Sequence, residues 1–200
     1  MIKNIGIIGG TGNMGSCFRN AFESLDLNIQ ISDINSKDKE DHIIENSDWI
    51  ILTVPINETL KVFKNIKNKI KKNQIFSDFT SVKSILANDI NNCNFEFISC
   101  HPLFGPLNNL KGQNIVTIPI VSKEKHPLII EVFEKIGLKI TELKSFKEHD
   151  EYMSLIQGMT HFSHVCFTTA MKKLNPDLDK IMEICSPIYQ SNISFSSRIT

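Results

Sequence analysis

Glycines are concentrated at the start of the chain, in a pattern that could bind phosphate groups. Five of the nine glycines fall within the first fifteen residues, and the segment from Gly10 to Gly15 reads G-T-G-N-M-G. A G-x-G-x-x-G pattern between a strand and a helix binds a pyrophosphate at the N–H groups of the helix N-terminus. We expect Gly10 to allow a tight turn, Gly12 to leave room for the pyrophosphate, and Gly15 to let the helix pack closely on the sheet.

An acidic residue lies where dinucleotide-binding proteins choose between cofactors. Asp33 ends the second predicted strand, about twenty residues beyond the glycines, where a carboxylate accepts hydrogen bonds from the adenosine ribose. That carboxylate would repel a 2′-phosphate, so the sequence favours NAD over NADP. Lys37 and Lys39 follow closely and keep NADP open as the alternative. The predicted cofactor-binding residues are Gly10, Thr11, Gly12, Asn13, Met14, Gly15, Asp33, Val54 and Pro55.

Polar side chains that could act on a substrate follow the fourth and fifth predicted strands. Ser81 and Lys83 belong to DFTSVK at 78–83, and His101 belongs to CHPLFGP at 100–106. The carboxyl ends of parallel strands face the ligand crevice of an open α/β sheet, so we expect these three side chains there. Each has a structural alternative: Ser81 as a helix N-cap, Lys83 as an exposed lysine, and His101 as a core histidine.

The remaining histidines and the cysteines form no clear metal or disulfide pattern. His161 and His164 share one face of a predicted helix, but no glutamate or cysteine nearby supplies a third ligand, so we predict no metal site. His126 is expected on an exposed loop. The five cysteines are scattered without a C-x-x-C pair, which predicts reduced thiols in the cytosol. Cys100, beside His101, could be a nucleophile or metal ligand, with a buried thiol as the simpler alternative.

Strands and helices alternate until about residue 145, which predicts a Rossmann-type, doubly wound and mostly parallel sheet in a domain spanning 1–145. Beyond that point helical patterns continue without a strand, which predicts that 146–200 is the start of a helical domain. The predicted strands are 4–9, 28–33, 49–54, 74–79, 95–100, 114–120 and 138–142. The predicted helices are 14–25, 57–70, 81–90, 126–136, 147–173 and 177–200, with a short helix or loop at 36–47.

The composition excludes several classes of protein. Of the 200 residues, 41% are hydrophobic and 22% are charged, which is ordinary for a folded globular chain. The 22 basic and 22 acidic residues balance, which argues against non-specific nucleic-acid binding and against polybasic membrane attachment. No segment approaches the ~18 apolar residues of a membrane span, and the N-terminus lacks a signal-peptide cleavage site. We therefore expect a cytoplasmic protein that acts on a small molecule.

Taken together, these motifs resemble the prephenate dehydrogenase family. The matching segments are IGIIGGTGNMG, ILTVPI, DFTSVK, CHPLFGP, HDEYMSLIQGMTHFSH and SPIY, in the family's order. The form most similar to this chain is the one that many bacteria fuse to chorismate mutase, although no mutase helix precedes Met1. The resemblance implies a Rossmann domain followed by a helical dimerisation domain. It also implies oxidative decarboxylation of prephenate to 4-hydroxyphenylpyruvate, with NAD as cofactor, in tyrosine biosynthesis.

The resemblance also implies roles for individual residues. His101 matches the family's catalytic histidine, which takes the proton of the substrate's ring hydroxyl as hydride leaves for NAD⁺. Ser81 matches a serine that orients this histidine, and Lys83 and His161 match substrate-pocket positions. Arg198 matches an arginine that clamps a substrate carboxylate.

Three alternatives stay open: an arogenate dehydrogenase, another Rossmann hydroxy-acid dehydrogenase, and a truncated, non-catalytic NAD-binding paralogue. The third is considered because the family's helical domain runs well past SPIY, so we expect that domain to be incomplete at Thr200. The predicted helix at 147–173 has apolar residues on all sides, which a surface helix does not tolerate alone. We therefore expect self-association, as a homodimer through the helical domain.

Overall fold

One seven-stranded sheet organises the residues that the computed structural model describes, namely 1–33, 40–90 and 93–197. The spatial order of the strands is β2-β1-β3-β4-β5-β6-β7, and every neighbouring pair is parallel except β5 with β6. The predicted fold class, a mostly parallel Rossmann-type sheet, is confirmed. The strands are β1 (Asn4–Ile8), β2 (Asn28–Ser32), β3 (Trp49–Leu52), β4 (Ile75–Asp78), β5 (Glu96–Pro102), β6 (Asn114–Val121) and β7 (Lys139–Glu142).

Helices cover both faces of the sheet because successive side chains of a buried strand point to opposite sides. Trp49 packs with Phe18 and Phe133 on one face, whereas Ile50 packs with Phe63 on the other. Each fully buried side chain of this size contributes roughly 1.5–3 kcal/mol relative to an exposed one. The helices that supply these side chains are α1 (Asn13–Glu23) and α4 (His126–Lys135) on the first face, and α2 (Glu40–Asn46) and α3 (Ile56–Ile66) on the second.

The predicted helix at 81–90 is wrong. Only a single 3₁₀ turn, Ser84–Leu86, forms in this segment. The side chain of Lys83 is fully buried and donates hydrogen bonds to Asp78 and to the carbonyl of Cys100. These tertiary contacts hold 79–83 in a non-helical path, and no α-helix begins at Ser81 for it to cap. The other predicted strands and helices agree with the structure apart from their ends, except that 177–200 forms two helices, Leu178–Ile184 and Pro187–Ser196, which are separated at Cys185 and Ser186. Residues 36–39 and 198–200 of the predicted elements lie outside the described residues.

The chain divides into two compact units, Met1–His149 and Asp150–Thr200. The predicted helix at 147–173 is helical throughout, but it contains one π-helical stretch, Ser154–Met159. Asn175 ends α6 in the left-handed conformation, with φ of 42°, immediately before Pro176. Among the described residues, no helix is both long and apolar enough to cross a membrane. The helices are α5 (Phe146–Met153), α6 (Thr160–Leu174), α7 (Leu178–Ile184) and α8 (Pro187–Ser196).

Candidate active site

The glycine-rich loop lies where the strand order of the sheet reverses. Since β1 pairs with both β2 and β3, the chain leaves β1 on one side and returns on the other, which is the place where open α/β sheets bind ligands. Gly9 follows β1 directly with φ of +86°, a conformation that favours glycine. Gly10 lies inside the turn as expected, since the N–H of Gly12 donates to the carbonyl oxygen of Gly9 at 3.1 Å, but the positive φ belongs to Gly9. Glycine is needed at position 10 for space, because a Cβ there would lie 2.5 Å from Cγ2 of Ile31.

The loop and helix α1 form a cradle that only small residues can build. A Cβ on Gly15 would lie 2.4 Å from the carbonyl oxygen of Gly9, so glycine allows the close approach of α1. Gly12 is the N-cap of α1 and makes no side-chain capping hydrogen bond, and Asn13 and Met14 lie in the first turn. Exposed amides at the positive end of a helix dipole bind phosphate, so the cradle fits the pyrophosphate of a dinucleotide.

Thr53, which was not among the predicted site residues, holds this loop in place. Its hydroxyl donates to the carbonyl oxygens of Ile8 at 3.1 Å and of Gly9 at 3.0 Å. The signal in the sequence is a threonine directly after β3, beside the predicted contacts Val54 and Pro55. Val54 is half-buried and Pro55 is exposed as the N-cap of α3.

The carboxylate of Asp33 is fixed against the glycine-rich loop. Its Oδ2 accepts a hydrogen bond from the backbone N–H of Thr11 at 3.2 Å and a second one from the Thr11 hydroxyl. Asp33 follows β2 directly, so the acid is brought to the edge of the cradle as the sequence predicts. Lys37 and Lys39 lie outside the described residues.

A buried ion pair joins the carboxyl ends of β4 and β5. Nζ of Lys83 lies 2.6 Å from Oδ2 of Asp78 and donates to the carbonyl oxygen of Cys100 at 2.6 Å. Oδ1 of Asp78 accepts from the hydroxyl of Ser99 at 2.6 Å. Burying charges is costly unless they are paired and hydrogen-bonded, as they are here. The alternative of an exposed Lys83 is wrong, and its ammonium group holds the backbone one residue before His101.

His101 is held by backbone pairing and by a second histidine. It lies on β5 opposite Val116 of β6, and only 4% of its surface is exposed. Its Nδ1 lies 2.9 Å from Nε2 of His149, which lies on α5 and is fully buried. His149 was not among the predicted site residues, since nothing in the spacing of the two histidines links them. With Nδ1 engaged, Nε2 is the nitrogen of His101 that could exchange a proton with a substrate.

The other predicted substrate residues are placed as follows. Ser81 is half-buried in the loop between Asp78 and Lys83, so it too follows β4. His161 is exposed on α6 in the second unit. Arg198 lies outside the described residues. Within the first unit, Lys83 donates to the carbonyl of the residue that precedes His101 in β5, and the role of each remains a prediction.

His126 is buried, which corrects the expectation of an exposed loop histidine. It begins α4 because the proline that follows it suits the first turn of a helix. Nε2 lies 3.1 Å from Oγ1 of Thr117, and Nδ1 lies 3.4 Å from Oε2 of Glu142. Burial lowers the pKa of His126 below its ordinary value of 6.5, more than the nearby Glu142 raises it.

Neither cysteine nor metal chemistry emerges from the described part of the chain. Burial raises the pKa of the Cys100 thiol to about 12, so it stays protonated and unreactive near neutral pH. All five cysteines are free thiols. No three His, Cys, Asp or Glu side chains converge as metal ligands in 1–33, 40–90 and 93–197. Nδ1 of His164 instead lies 3.2 Å from the hydroxyl oxygen of Ser196.

Comparison with known proteins gives a consistent match. Residues 19–142 match the family model of the nucleotide-binding domain of prephenate dehydrogenase. A probable arogenate/prephenate dehydrogenase of Methanocaldococcus jannaschii is 28% identical over 216 residues, covering 98% of this chain and 48% of the relative. The T-protein of Haemophilus influenzae is 28% identical over 200 residues, covering 99% of this chain and 53% of the relative. The chain thus spans about half the length of these curated relatives.

A solved structure shares the fold. Prephenate dehydrogenase from Aquifex aeolicus, in complex with hydroxyphenyl propionate and NAD⁺, superposes with a TM-score of 0.69 at 18% identity. The superposition covers 94% of this chain and 72% of that one. At this identity the likeness establishes the arrangement of strands and helices.

Proposed function

The chain belongs to the prephenate dehydrogenase family of oxidoreductases, and we propose that it carries out the NAD-dependent oxidative decarboxylation of prephenate to 4-hydroxyphenylpyruvate in tyrosine biosynthesis. The observation that carries this proposal is the placement of His101. Its ring is fixed through Nδ1 at the carboxyl end of β5, on the sheet whose strand reversal holds the glycine cradle. A positioned base and a dinucleotide cradle are what the oxidation of an alcohol needs.

The cofactor proposed for the cradle is NAD. The first-turn N–H groups of α1 and the space at Gly12 would hold the pyrophosphate, and the carboxylate of Asp33 would accept from the ribose hydroxyls. The NAD⁺ bound to the Aquifex aeolicus enzyme supports this choice. When bound, the nicotinamide accepts the hydride. The negative charge of Asp33 beside Thr11 favours NAD over NADP, because a 2′-phosphate would be repelled there.

His101 is proposed as the general base. With its proton on Nδ1, the Nε2 lone pair takes the proton of the substrate's ring hydroxyl at C4 while the hydride leaves that carbon. The C4–O bond becomes a carbonyl, and loss of the ring carboxylate as CO₂ then makes the ring aromatic. Aromatisation makes the overall reaction irreversible.

Other residues enter the proposal with support of different kinds. Lys83 is proposed to position His101, since its ammonium group donates to the carbonyl of Cys100, the residue before the base. For Ser81, His161 and Arg198 the support is the family resemblance, in which they orient the base and bind the substrate.

We also propose that the helical unit mediates a homodimer. Supporting this, several large apolar side chains of the unit are exposed to solvent, and such surfaces commonly associate. They include Leu155, Ile156, Met159, Phe162 and Val165, each at least 46% exposed. Light scattering on a dilute sample tests the proposal, and a monomer at all concentrations would contradict it.

Arogenate is the second candidate substrate. It differs from prephenate by an amino group in place of the side-chain keto group, and the Methanocaldococcus jannaschii relative carries both substrates in its name. Neither Ser81 nor His101 touches that part of the molecule in the proposed mechanism, so the same base serves both substrates.

Absorbance at the NADH band, with NAD⁺ and either prephenate or arogenate, tests the function. Turnover of prephenate supports the proposal, whereas turnover of arogenate alone would favour the second candidate. Binding of NAD⁺ in calorimetry without turnover of either substrate would favour a non-catalytic NAD-binding protein. Turnover of another hydroxy acid in their place would favour a different Rossmann dehydrogenase.

A further inference from the structure

We infer that His149 is a positioning residue for the proposed reaction, which fixes the ring of His101 and selects the tautomer whose Nε2 is the base. This inference rests on the proposed function of His101. It goes further because it assigns a reaction role to a side chain on a different element, 48 positions along the chain.

The geometry limits how protons are shared between the two rings. Nδ1 of His101 and Nε2 of His149 are 2.9 Å apart, and the two rings are 4% and 0% exposed. A hydrogen bond of this length needs one proton between the two nitrogens. Either His101 donates from Nδ1 or His149 donates from Nε2.

Only the first arrangement gives a competent base. A neutral imidazole carries one N–H, so a His101 ring protonated at Nδ1 has its lone pair at Nε2. If His149 donated instead, His101 would carry its proton on Nε2 and could not accept another there. The proposed chemistry therefore requires His149 to be the acceptor, with its own proton on Nδ1.

The same bond strengthens during the reaction. When Nε2 takes the substrate proton, His101 becomes a cation, and its Nδ1–H bond to His149 becomes charge-assisted. Such bonds are roughly twice as strong as neutral ones. His149 thus stabilises the protonated form of the base as it develops.

Both rings are attached to rigid elements. Backbone pairing with β6 fixes His101, with Cys100 opposite Thr117 and His101 opposite Val116. The backbone N–H of His149 donates to the carbonyl of Ser145 at 3.1 Å, at the start of α5. The backbone positions of both histidines are therefore fixed by regular hydrogen bonds, which keeps the two rings within hydrogen-bond distance.

Three variants separate positioning from packing. In His149→Gln the side-chain amide extends about as far as Nε2 of histidine, so it can still accept a hydrogen bond from Nδ1 of His101. In His149→Asn the shorter side chain does not reach Nδ1, and in His149→Leu there is no polar group. We expect His149→Asn and His149→Leu to lower kcat ~10–100-fold, as loss of a supporting partner commonly does. KM and the Kd for NAD⁺ should stay near wild type, and His149→Gln should recover most of kcat.

A matched control is available in His126, which is also buried and hydrogen-bonded but has no part in the proposed chemistry. His126→Leu should lower stability and leave kcat unchanged. Equal kcat losses in His126→Leu and His149→Leu, without recovery by His149→Gln, would reduce His149 to a packing residue and overturn the inference.

The tautomer can be measured without turnover. Imidazole ¹⁵N NMR of the wild-type protein, with His101 signals assigned by their absence from His101→Asn, should show the proton on Nδ1. In His149→Leu the Nε2–H form should gain population. A wild-type His101 protonated on Nε2 overturns the inference even if the enzyme is active. Absence of turnover with the Nδ1–H form present counts against the proposed function and not against the pairing.

Discussion

The ammonium group of Lys83 and the carboxylate of Asp78 form an ion pair at 2.6 Å in which neither side chain is exposed to solvent. The same carboxylate accepts from Ser99, and the same ammonium group donates to the backbone of β5. Two hydrogen bonds, from Ser99 to Asp78 and from Lys83 to the carbonyl of Cys100, thus connect the end of β4 to the strand that carries His101. The position of the proposed base depends on a pair of charges that water does not reach.

Removing one partner of this pair should be strongly destabilising. Lys83→Met leaves the Asp78 carboxylate buried without a counter-charge, and the free energy of unfolding should fall by about 3–5 kcal/mol. Asp78→Asn should also be costly, because it leaves the ammonium group uncompensated. The double variant should lose less than the sum of the single losses. Urea unfolding of all four proteins measures the coupling, and strictly additive losses would show that the pair does not interact energetically.

The cradle predicts a sharp steric effect at Gly15. A Cβ would lie 2.4 Å from a backbone oxygen, which cannot move without displacing the loop. Gly15→Ala should therefore abolish or greatly weaken NAD⁺ binding in calorimetry. Gly158→Ala is the matched control, since its Cβ would come no closer than 3.7 Å to another atom. Undiminished NAD⁺ affinity in Gly15→Ala would mean that the cofactor does not bind at this loop. Gly12→Val should also abolish binding, because its side chain would occupy the pyrophosphate's place.

Cofactor preference should depend on Asp33. We expect the wild-type protein to bind NAD⁺ more tightly than NADP⁺, because the carboxylate is fixed beside Thr11 by two hydrogen bonds. Asp33→Asn removes the negative charge and keeps the size of the side chain, so the ratio of the affinities for NAD⁺ and NADP⁺ should move closer to one. Calorimetry with both cofactors gives the ratio directly. Equal or reversed wild-type affinities would contradict the assignment.

His101→Asn should lower turnover by ~10²–10⁴, the usual contribution of a general base. NAD⁺ affinity should be nearly unchanged, because His101 is no part of the glycine cradle. A variant with wild-type turnover would make His101 a structural histidine and remove the proposed mechanism.

His126 should make stability depend on pH. Burial lowers its pKa in the folded state below 6.5, while Lys123 lowers it further and Glu142 and Glu96 raise it by smaller amounts. The unfolded chain therefore binds more protons as pH falls below 6.5, and stability is lost in that range. The contribution is fully present above pH 6.5. The change in Tm between pH 5.5 and pH 7.5 should be smaller in His126→Gln than in the wild type. Equal changes in Tm would show that His126 does not cause the pH dependence of stability.

The elements that local pattern controls could be predicted from sequence. Strand β3 is a continuous apolar run that ends before Pro55. Helix α3 has apolar residues at helical spacing, and two of them, Phe63 and Ile66, lie on its buried face. Both signals arise within one segment, so no knowledge of the rest of the chain is needed. The glycine pattern was likewise local, although the positive φ belongs to Gly9 and not to Gly10.

The features that were missed depend on distant partners. Ser81 begins no helix because Lys83 is held by Asp78 and by the backbone of β5. The spacing of apolar residues in 81–90 does not reveal that contact. The pairing of His101 with His149 is similar, since these residues are 48 positions apart and come together only in the folded chain. Propensity and spacing describe neighbours along the chain, whereas these contacts arise from the tertiary fold.

Because β5 and β6 pair in antiparallel fashion, the proposed base is held within the sheet, whereas the loop that follows it is not part of the strand pairing. His101 and Pro102 take part in the antiparallel ladder, and the N–H of Leu103 still donates to the carbonyl of Asn114 at 2.9 Å. The hairpin connection begins only after this point. Insertions or deletions at its tip can therefore reshape the surroundings of the base while its anchor stays fixed. Amide hydrogen exchange at residue 101 should accordingly be as slow as in the middle of the sheet, and substrate range could diverge in this family through loop length alone.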